Sequence, residues 1–535
     1  MTATDTTSTS PDWAQRAAAK RAARDALLPP DTLLPPGTVP ASTADVSAVP
    51  RTCGLLSAQE LEITESDTGD ILARLASGQW SAEAVTRAFC RRASIAHQLT
   101  NCLTEVFFEA GLARARALDD EFKRTGKARG PLHGLPISLK EQIGVAGVER
   151  SFGFVGFLGR VCERDSALVE ILLAAGAVPY CATNIAQGLF FGEAVNNVFG
   201  ETVNPYNRTL TPGGSSGGEG ALLALRGSPL GVGSDIGGSV RIPAGHCGLY
   251  AFRPSYGRVP YEGTCNSQEG QDSIRSVLGP MSTSLAPLRT LFKAVLDGAP
   301  WRLDPQVLRQ PWSASGAALA EHGGGERLVF GMLLDDGVVR PVPPYARAMA
   351  ETAAALEAAG HAVVPFTPHA AAEGMRLFYE SFGADGMRDL FDTLALSGEP
   401  RAGPHAAQGQ GQELSVTQWW ALHRRKGEYL KQQLDAWNAT AATTGTGRPV
   451  DAVICSVAGN AAQLLRQPQY HTYTHWCNLA DYPAVAIPVT HDPATYANAP
   501  IGLQVVAQKG EDEAVLAMAE IVDNALKAHS ASTPR

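Results

Sequence analysis

The sequence predicts an α/β protein built as a layered sheet, and two observations carry the prediction. Amphipathic stretches of helical period alternate with short apolar, β-branched runs along most of the chain. Of its 535 residues, 44% are hydrophobic and 18% charged, ample for a core and unlike a disordered or collagen-like chain. In order, a Thr- and Ser-rich start leads into WAQRAAAKRAARDALL (13–28), a basic, Ala-rich helix, then into the Pro-rich connector LPPDTLLPPGTVP (28–40). Apolar periodicity predicts helices near 81–97 and 109–125, then a strand, LPISLK, ending at Lys140. Asp165 reads as the cap of a helix, SALVEILLAAG, followed by AVPYCA as a buried strand; YARAMAETAAALEAAG and HAVVPF repeat the pair later. Segments 312–327 and 399–413, rich in Gly, Pro and Ala, read as surface loops. DAVICS (451–456), PAVAIPV (483–489) and IGLQVVA (501–507) supply three more strands before a final helix.

Several function classes drop out on composition. Forty-four Lys plus Arg stand against 53 Asp plus Glu, a net charge of −9, so the chain repels a polyanion and nucleic acid is not expected as a partner. Nine cysteines, an odd number without CxxC spacing, outline neither a disulfide framework nor a zinc ribbon and point to a reducing, cytoplasmic setting. Charges such as Glu170 and Arg226 break the longest apolar stretches, so no transmembrane segment is expected and the protein reads as soluble. The Arg- and Ala-rich start faintly resembles an organellar transit peptide, against which Asp5, Asp12 and Asp25 count. The alternative is a surface helix packed on the body.

Chemistry concentrates in TPGGSSGGEGALLALRGSPLGVGSDIGGSVRIPAGHCG, residues 211–248. Glycines at this density let several backbone N–H groups turn toward one point, which suits an anion or oxyanion. A phosphate loop fails because no Gly-Lys-Ser/Thr follows. A dinucleotide fingerprint fails because Gly231, Gly233 and Gly237 are spaced one residue too long. G-x-S-x-G matches twice around Ser215 and Ser216, but an α/β-hydrolase elbow needs a buried strand before the serine, and TVNPYNRTLTP is a poor one.

What this segment does resemble is the signature of the amidase signature family of serine hydrolases. The resemblance extends to GPLHGLPISLKEQIGVAG upstream and to LADYPAVAIPVT and PIGLQVV downstream, in the family's order, over roughly residues 60–525. Glu219-Gly220, the DYPA motif and the N-terminal helix are similar to those of fungal-type acetamidases and general amidases. The resemblance implies a single large α/β/α domain with a central mixed sheet of about eleven strands spanning residues 59–535, preceded by an extension at 1–58. It implies hydrolysis of a small-molecule amide, or an ester or carbamate, without cofactor or metal. A homodimer is left open. Ser239 is then the nucleophile, Ser215 a bridging serine held by an unusual cis peptide, and Lys140 the base. Ile236, Gly237, Gly238 and Ser239 would form the oxyanion hole. Ser216, Asp235 and Arg241 would steady the triad, and Gly188, Leu189 and Phe190 would bind substrate. The chemistry is coherent: a serine must lose its proton as it attacks, and an amine stripped of its charge by burial can take it.

Plainer readings compete. Lys140 alone is a strand-end lysine reaching for solvent, either serine alone a turn serine, and Asp235 with Arg241 a local salt bridge. Leu189 and Phe190 alone are core. His471 and His475 have helical spacing but lack the Glu of HExxH or a third ligand, so no metal is predicted. Two rival functions are a glutaminase subunit of a tRNA-dependent amidotransferase and a non-enzymatic receptor on the same fold; receptors of that kind have lost triad residues that are present here.

Overall fold

The computed structural model describes residues 13–403, 407, 409–492 and 498–532. Its centre is one mixed sheet of 11 strands, flanked by helices. In chain order the strands are β1 (Leu103–Val106), β2 (Pro136–Lys140), β3 (Val178–Thr183), β4 (Leu230–Asp235), β5 (Tyr250–Arg253), β6 (Val277–Ser282), β7 (Val329–Leu333), β8 (Ala362–Pro365), β9 (Ala452–Ser456), β10 (Ala484–Asp492) and β11 (Ala499–Val506). Across the sheet they run β1-β3-β2-β4-β6-β5-β10-β11-β9-β7-β8. β2 lies parallel to both β3 and β4, and every residue of these three strands is buried. Parallel strands covered on both faces read as near-continuous apolar runs, which is why LPISLK and AVPYCA are legible as strands, each within a residue or two of the observed bounds.

Glycines in β4 (LGVGSD) have a steric cause. A Cβ at Gly231 would sit 2.1 Å from Glu219 Oε2, and one at Gly233 would sit 2.7 Å from Ser216 Oγ. Both side chains come from the start of one helix, so these glycines let it press against the strand.

Helices α1 (Trp13–Asp25), α2 (Ala82–Thr100), α3 (Phe108–Thr125), α4 (Gly217–Ala224), α5 (Arg241–Cys247), α6 (Pro343–Ala358), α7 (Ala371–Phe382), α8 (Val416–Ala439), α9 (Thr472–Ala480) and α10 (Asp512–Ser532) matter below or match the sequence pattern. α2 starts on Ser81, whose side chain accepts from Ala84 N–H, and stops at Asn101 in the left-handed region. α1 packs on the body: Arg16 donates to Val155 O at 3.0 Å, Arg21 to Val198 O at 2.7 Å and Arg24 to Leu103 O at 2.9 Å, while Lys20 pairs with Glu105 at 2.7 Å.

Two local expectations change. The helix Ala167–Ala174 is capped by Ser166, not Asp165; Asp165 instead accepts from Ala146 N–H at 2.8 Å, because the nearer hydroxyl already serves the helix end. Segment 312–327 is not plain loop but holds a short helix, Ala314–Ala317, capped by Ser313, and a 3-10 turn, Ala320–Gly325, in which Gly323 and Gly324 adopt positive φ. The polar tail (1–12) and part of the expected loop at 399–413 lie outside the described residues. Among the described residues no helix is long and apolar enough to cross a membrane.

Candidate active site

Lys140 closes β2, opposite Thr183 of β3, and is fully buried. Its Nζ lies 2.7 Å from Ser215 Oγ and donates to Ser234 Oγ at 2.8 Å. Burial holds its pKa well below the ordinary lysine range; the carboxyls of Asp235 and Glu219 pull the other way without restoring it. The strand end therefore carries a sealed amine whose burial favours the uncharged form, not a lysine reaching for solvent.

Ser215 follows a cis peptide after Gly214 and leads into α4. Only isolated bridges precede it between residues 202 and 213, so the strand required by an α/β-hydrolase elbow is missing. Ser216 N–H donates to the Ser239 carbonyl at 3.2 Å, which brings the two glycine-rich turns side by side. Ser216 Oγ donates to Ser234 O and accepts from Ser234 N–H, both at 3.3 Å. Among the described residues the Ser239 hydroxyl has no hydrogen-bond partner. The Lys140–Ser215 contact is thus made, while the contact from Ser215 to Ser239 is not; such contacts often tighten only with substrate bound.

The turn between β4 and α5 departs from expectation at one residue. Gly238 N–H donates to Asp235 Oδ1 at 2.8 Å, so it is already spent. Ile236, Gly237 and Ser239 line a cavity and Gly238 does not. Its φ of +119° explains the glycine. Thr474 Oγ1 donates to Gly237 O at 2.8 Å and holds the turn from α9.

Behind the turn, Asp235 and Arg241 form a fully buried ion pair, with Arg241 Nε on Asp235 Oδ2 and Arg241 NH2 on Asp235 Oδ1, both at 3.0 Å. Arg241 also donates to Asn478 Oδ1 at 2.6 Å and Gln504 Oε1 at 2.8 Å. Burial pushes the Asp235 pKa up, but the guanidinium outweighs it and holds the carboxyl well below the usual range. The pair is a brace linking β4, α5, α9 and β11.

The cavity in front of Ser239 has a volume of about 110 Å³. Leu189 and Phe190 line it as expected; Gly188 does not. Gly188 (φ +56°) forms the turn beneath, where a Cβ would meet Phe154 and Phe190 at 2.8 and 2.9 Å. Much of the remaining wall was not foreseen: Phe378, Tyr379 and Phe382 from α7, His471 and His475 from the start of α9, and the polar Gln467 and Gln469. His475 stacks on Phe378 with ring centroids 3.9 Å apart and planes 2° from parallel. Burial, and then the neighbouring His471 and Arg241, hold the His475 pKa well below the ordinary histidine value. The i, i+4 histidines are thus pocket wall. Glu219 is a further group that sequence reasoning treated only as a family variant. Fully buried, it accepts from Ser138 Oγ at 2.6 Å and Thr183 Oγ1 at 2.9 Å, joining α4 to β2 and β3. Burial lifts its pKa to about 7, against the opposing hydrogen bonds and Lys140.

A mixed 11-stranded sheet that sets Ser239 and a glycine turn on one small cavity, with a sealed amine hydrogen-bonded to Ser215 behind them, is the architecture of a hydrolytic enzyme. The family model for amidases matches residues 84–516, and the chain belongs to the amidase family. It is 39% identical to the acetamidase of Emericella nidulans, covering 96% of this chain and 98% of that protein. It is 38% identical to the acetamidase of Aspergillus oryzae, covering 97% and 99%. A solved structure of fatty acid amide hydrolase superposes with a TM-score of 0.87 at 28% identity, over 96% of this chain and 95% of that one.

Proposed function

We propose that this protein hydrolyses the amide of a small carboxylic acid through an acyl-enzyme on Ser239, with Lys140 as base and Ser215 as relay. The observation that carries the reading is the fully buried Lys140 amine 2.7 Å from Ser215 Oγ. In the forward step Ser239 Oγ attacks the amide carbon as its proton passes to Ser215 and the Ser215 proton passes to Lys140 Nζ. The N–H groups of Ile236, Gly237 and Ser239 face the developing oxyanion; removing one such donor commonly costs about 10²–10³-fold in rate. The relay then runs backward, Lys140 returning a proton through Ser215 to the departing nitrogen, without which an amide does not cleave. Water, activated by the same groups, releases the acid.

Cavity size supports a short acyl group. About 110 Å³ is less than the roughly 150 Å³ cavity that accepts benzene, and the aromatic wall of Phe190, Phe378 and Phe382 favours an apolar one. A short acyl group fits the acetamidase relatives better than the fatty acid amides for which fatty acid amide hydrolase is named, and esters or carbamates of similar size fit the same site. The reading includes a cytoplasmic enzyme with residues 59–535 as catalytic unit and 1–58 as an extension, whose helix α1 docks on that unit.

The test is turnover of acetamide, longer aliphatic amides, an ester and a carbamate by the isolated chain, with fluorophosphonate labelling. Ser239→Ala is expected to keep the wild-type melting temperature, lose labelling and lose essentially all turnover. Full activity in that variant, or an acyl adduct on another residue, overturns the assignment.

A further inference from the structure

The hydrogen bonds around Lys140 dictate which way its lone pair points. Gln142, two residues on and fully buried, makes three side-chain contacts. Its Nε2 donates to the Cys265 carbonyl at 2.7 Å and to the Tyr261 hydroxyl at 2.8 Å, and its Oε1 accepts from Ser234 Oγ at 2.5 Å. An amide group can be turned end for end without changing its outline, but a backbone carbonyl can only accept. Nε2 must therefore face Cys265, and Oε1 must face Ser234.

The consequence passes along the chain of bonds. A serine hydroxyl has one hydrogen, and Ser234 gives it to Gln142. Toward Lys140 Nζ, 2.8 Å away, Ser234 can then only accept. The neutral amine satisfies it with one N–H, and its lone pair is left for Ser215 at 2.7 Å. If Ser234 were free to rotate, its hydrogen could occupy that lone pair and the base would be quenched. We infer that Gln142 is a positioning residue: by holding the Ser234 hydroxyl it aims the Lys140 lone pair at Ser215. The inference rests on the reading of Lys140 as base in Proposed function.

Gln142→Met keeps length but removes the acceptor, so it frees Ser234. On a short amide, kcat is expected to fall by about 10- to 100-fold, part of the about 10²–10⁴-fold supplied by proton transfer, with KM within about twofold of wild type. Ser234→Ala deletes the competing hydrogen, so the double variant Gln142→Met/Ser234→Ala is expected to recover at least about tenfold in kcat over Gln142→Met. A purely structural role for Gln142 predicts the opposite, a double variant as slow as or slower than the single. That result, or an unchanged kcat in Gln142→Met, overturns the proposal. Tyr261→Phe supplies a check that leaves Gln142 in place. Cys265 alone still orients the amide, so kcat is expected within about threefold of wild type, and a loss beyond about tenfold also overturns it. Wild-type turnover and labelling at Ser239 are measured alongside. Their absence brings down the functional reading and this inference with it, whereas normal wild-type turnover with a non-recovering double variant refutes only the role of Gln142.

Discussion

Replacing Asp235 by Asn alters one atom of a sealed network and removes the countercharge of Arg241. The carboxylate accepts from Arg241 twice at 3.0 Å, from Asn478 Nδ2 at 2.8 Å, from Gly238 N–H at 2.8 Å and from Val240 N–H at 3.3 Å. An amide in its place turns an acceptor into a donor facing donors, beside a guanidinium that water cannot reach. Removing one partner of a buried pair costs about 3–5 kcal/mol. With an unfolding entropy of about 2.1 cal/mol/K per residue, the 535-residue chain loses about 1 °C of Tm per kcal/mol, so Tm should fall by about 3–5 °C. The turn from Ile236 to Val240 loses its anchor, and kcat on a short amide should fall by about 10²-fold. Because the Asp235 pKa is depressed in the folded state, its stabilisation is complete above the ordinary Asp value of about 3.9 and is lost progressively as pH falls from there through the folded value. The difference in Tm between wild type and variant should therefore hold steady from neutral pH down to about pH 4 and close below it. A variant melting within about 1 °C of wild type with unchanged kcat would refute the claim that this pair braces the turn.

Lys140 must be neutral to act, so kcat/KM on a short amide should rise with pH through its lowered folded pKa, reaching a plateau well below the ordinary lysine value of about 10.4. A limb that rises only near that value contradicts the buried-base reading. Holding this amine neutral also means that the unfolded chain binds the extra proton, so stability should increase with pH up to about 10.4; Lys140→Met should flatten that slope in thermal melts while abolishing turnover. Phe382→Ala opens the aromatic wall and should raise the kcat/KM ratio of hexanamide to acetamide by at least about tenfold, and because the ring is only partly buried the stability cost should stay below the roughly 3–5 kcal/mol of a core Phe→Ala change; an unchanged ratio places the acyl group elsewhere.

Local signals carried much of the layered architecture, because a helix such as the one capped at Ser81 and strands buried on both faces write their periodicity into neighbouring residues, whereas the long helix α8 after Ser415 is not among the predicted elements. The substrate wall was not legible in the same way. Leu189 and Phe190 sit beside Phe378, Phe382 and His475, residues nearly two hundred or more positions later, and FYESF on α7 has the same i, i+4 spacing whether it faces core or cavity. Gly238 was grouped with its neighbours because a glycine turn declares several N–H groups without saying which one Asp235 has taken. Asp165 and Ser166 are equally good caps by type, and only the geometry of the entering chain separates them. Glu219 shows the limit most directly: nothing in GGSSGGEG distinguishes a solvated carboxylate from one sealed between β2 and β3, although the glycine at 231 that makes room for it is visible in LGVGSD.

The N-terminal helix has a consequence for solubility. β1 is the outermost strand on its side of the sheet, paired only with β3, and an open strand edge is a template for adding a foreign chain. Arg24 of α1 occupies the Leu103 carbonyl and Lys20 pairs with Glu105 of that strand, so the basic run that looked like an address label shields the margin most exposed to self-association. At the opposite margin β8, as short as β1 at four residues, ends at Pro365, which cannot extend a ladder. Trimming the chain past Asp25 would bare only the first margin, and aggregation beginning there is the expected failure of a shortened protein.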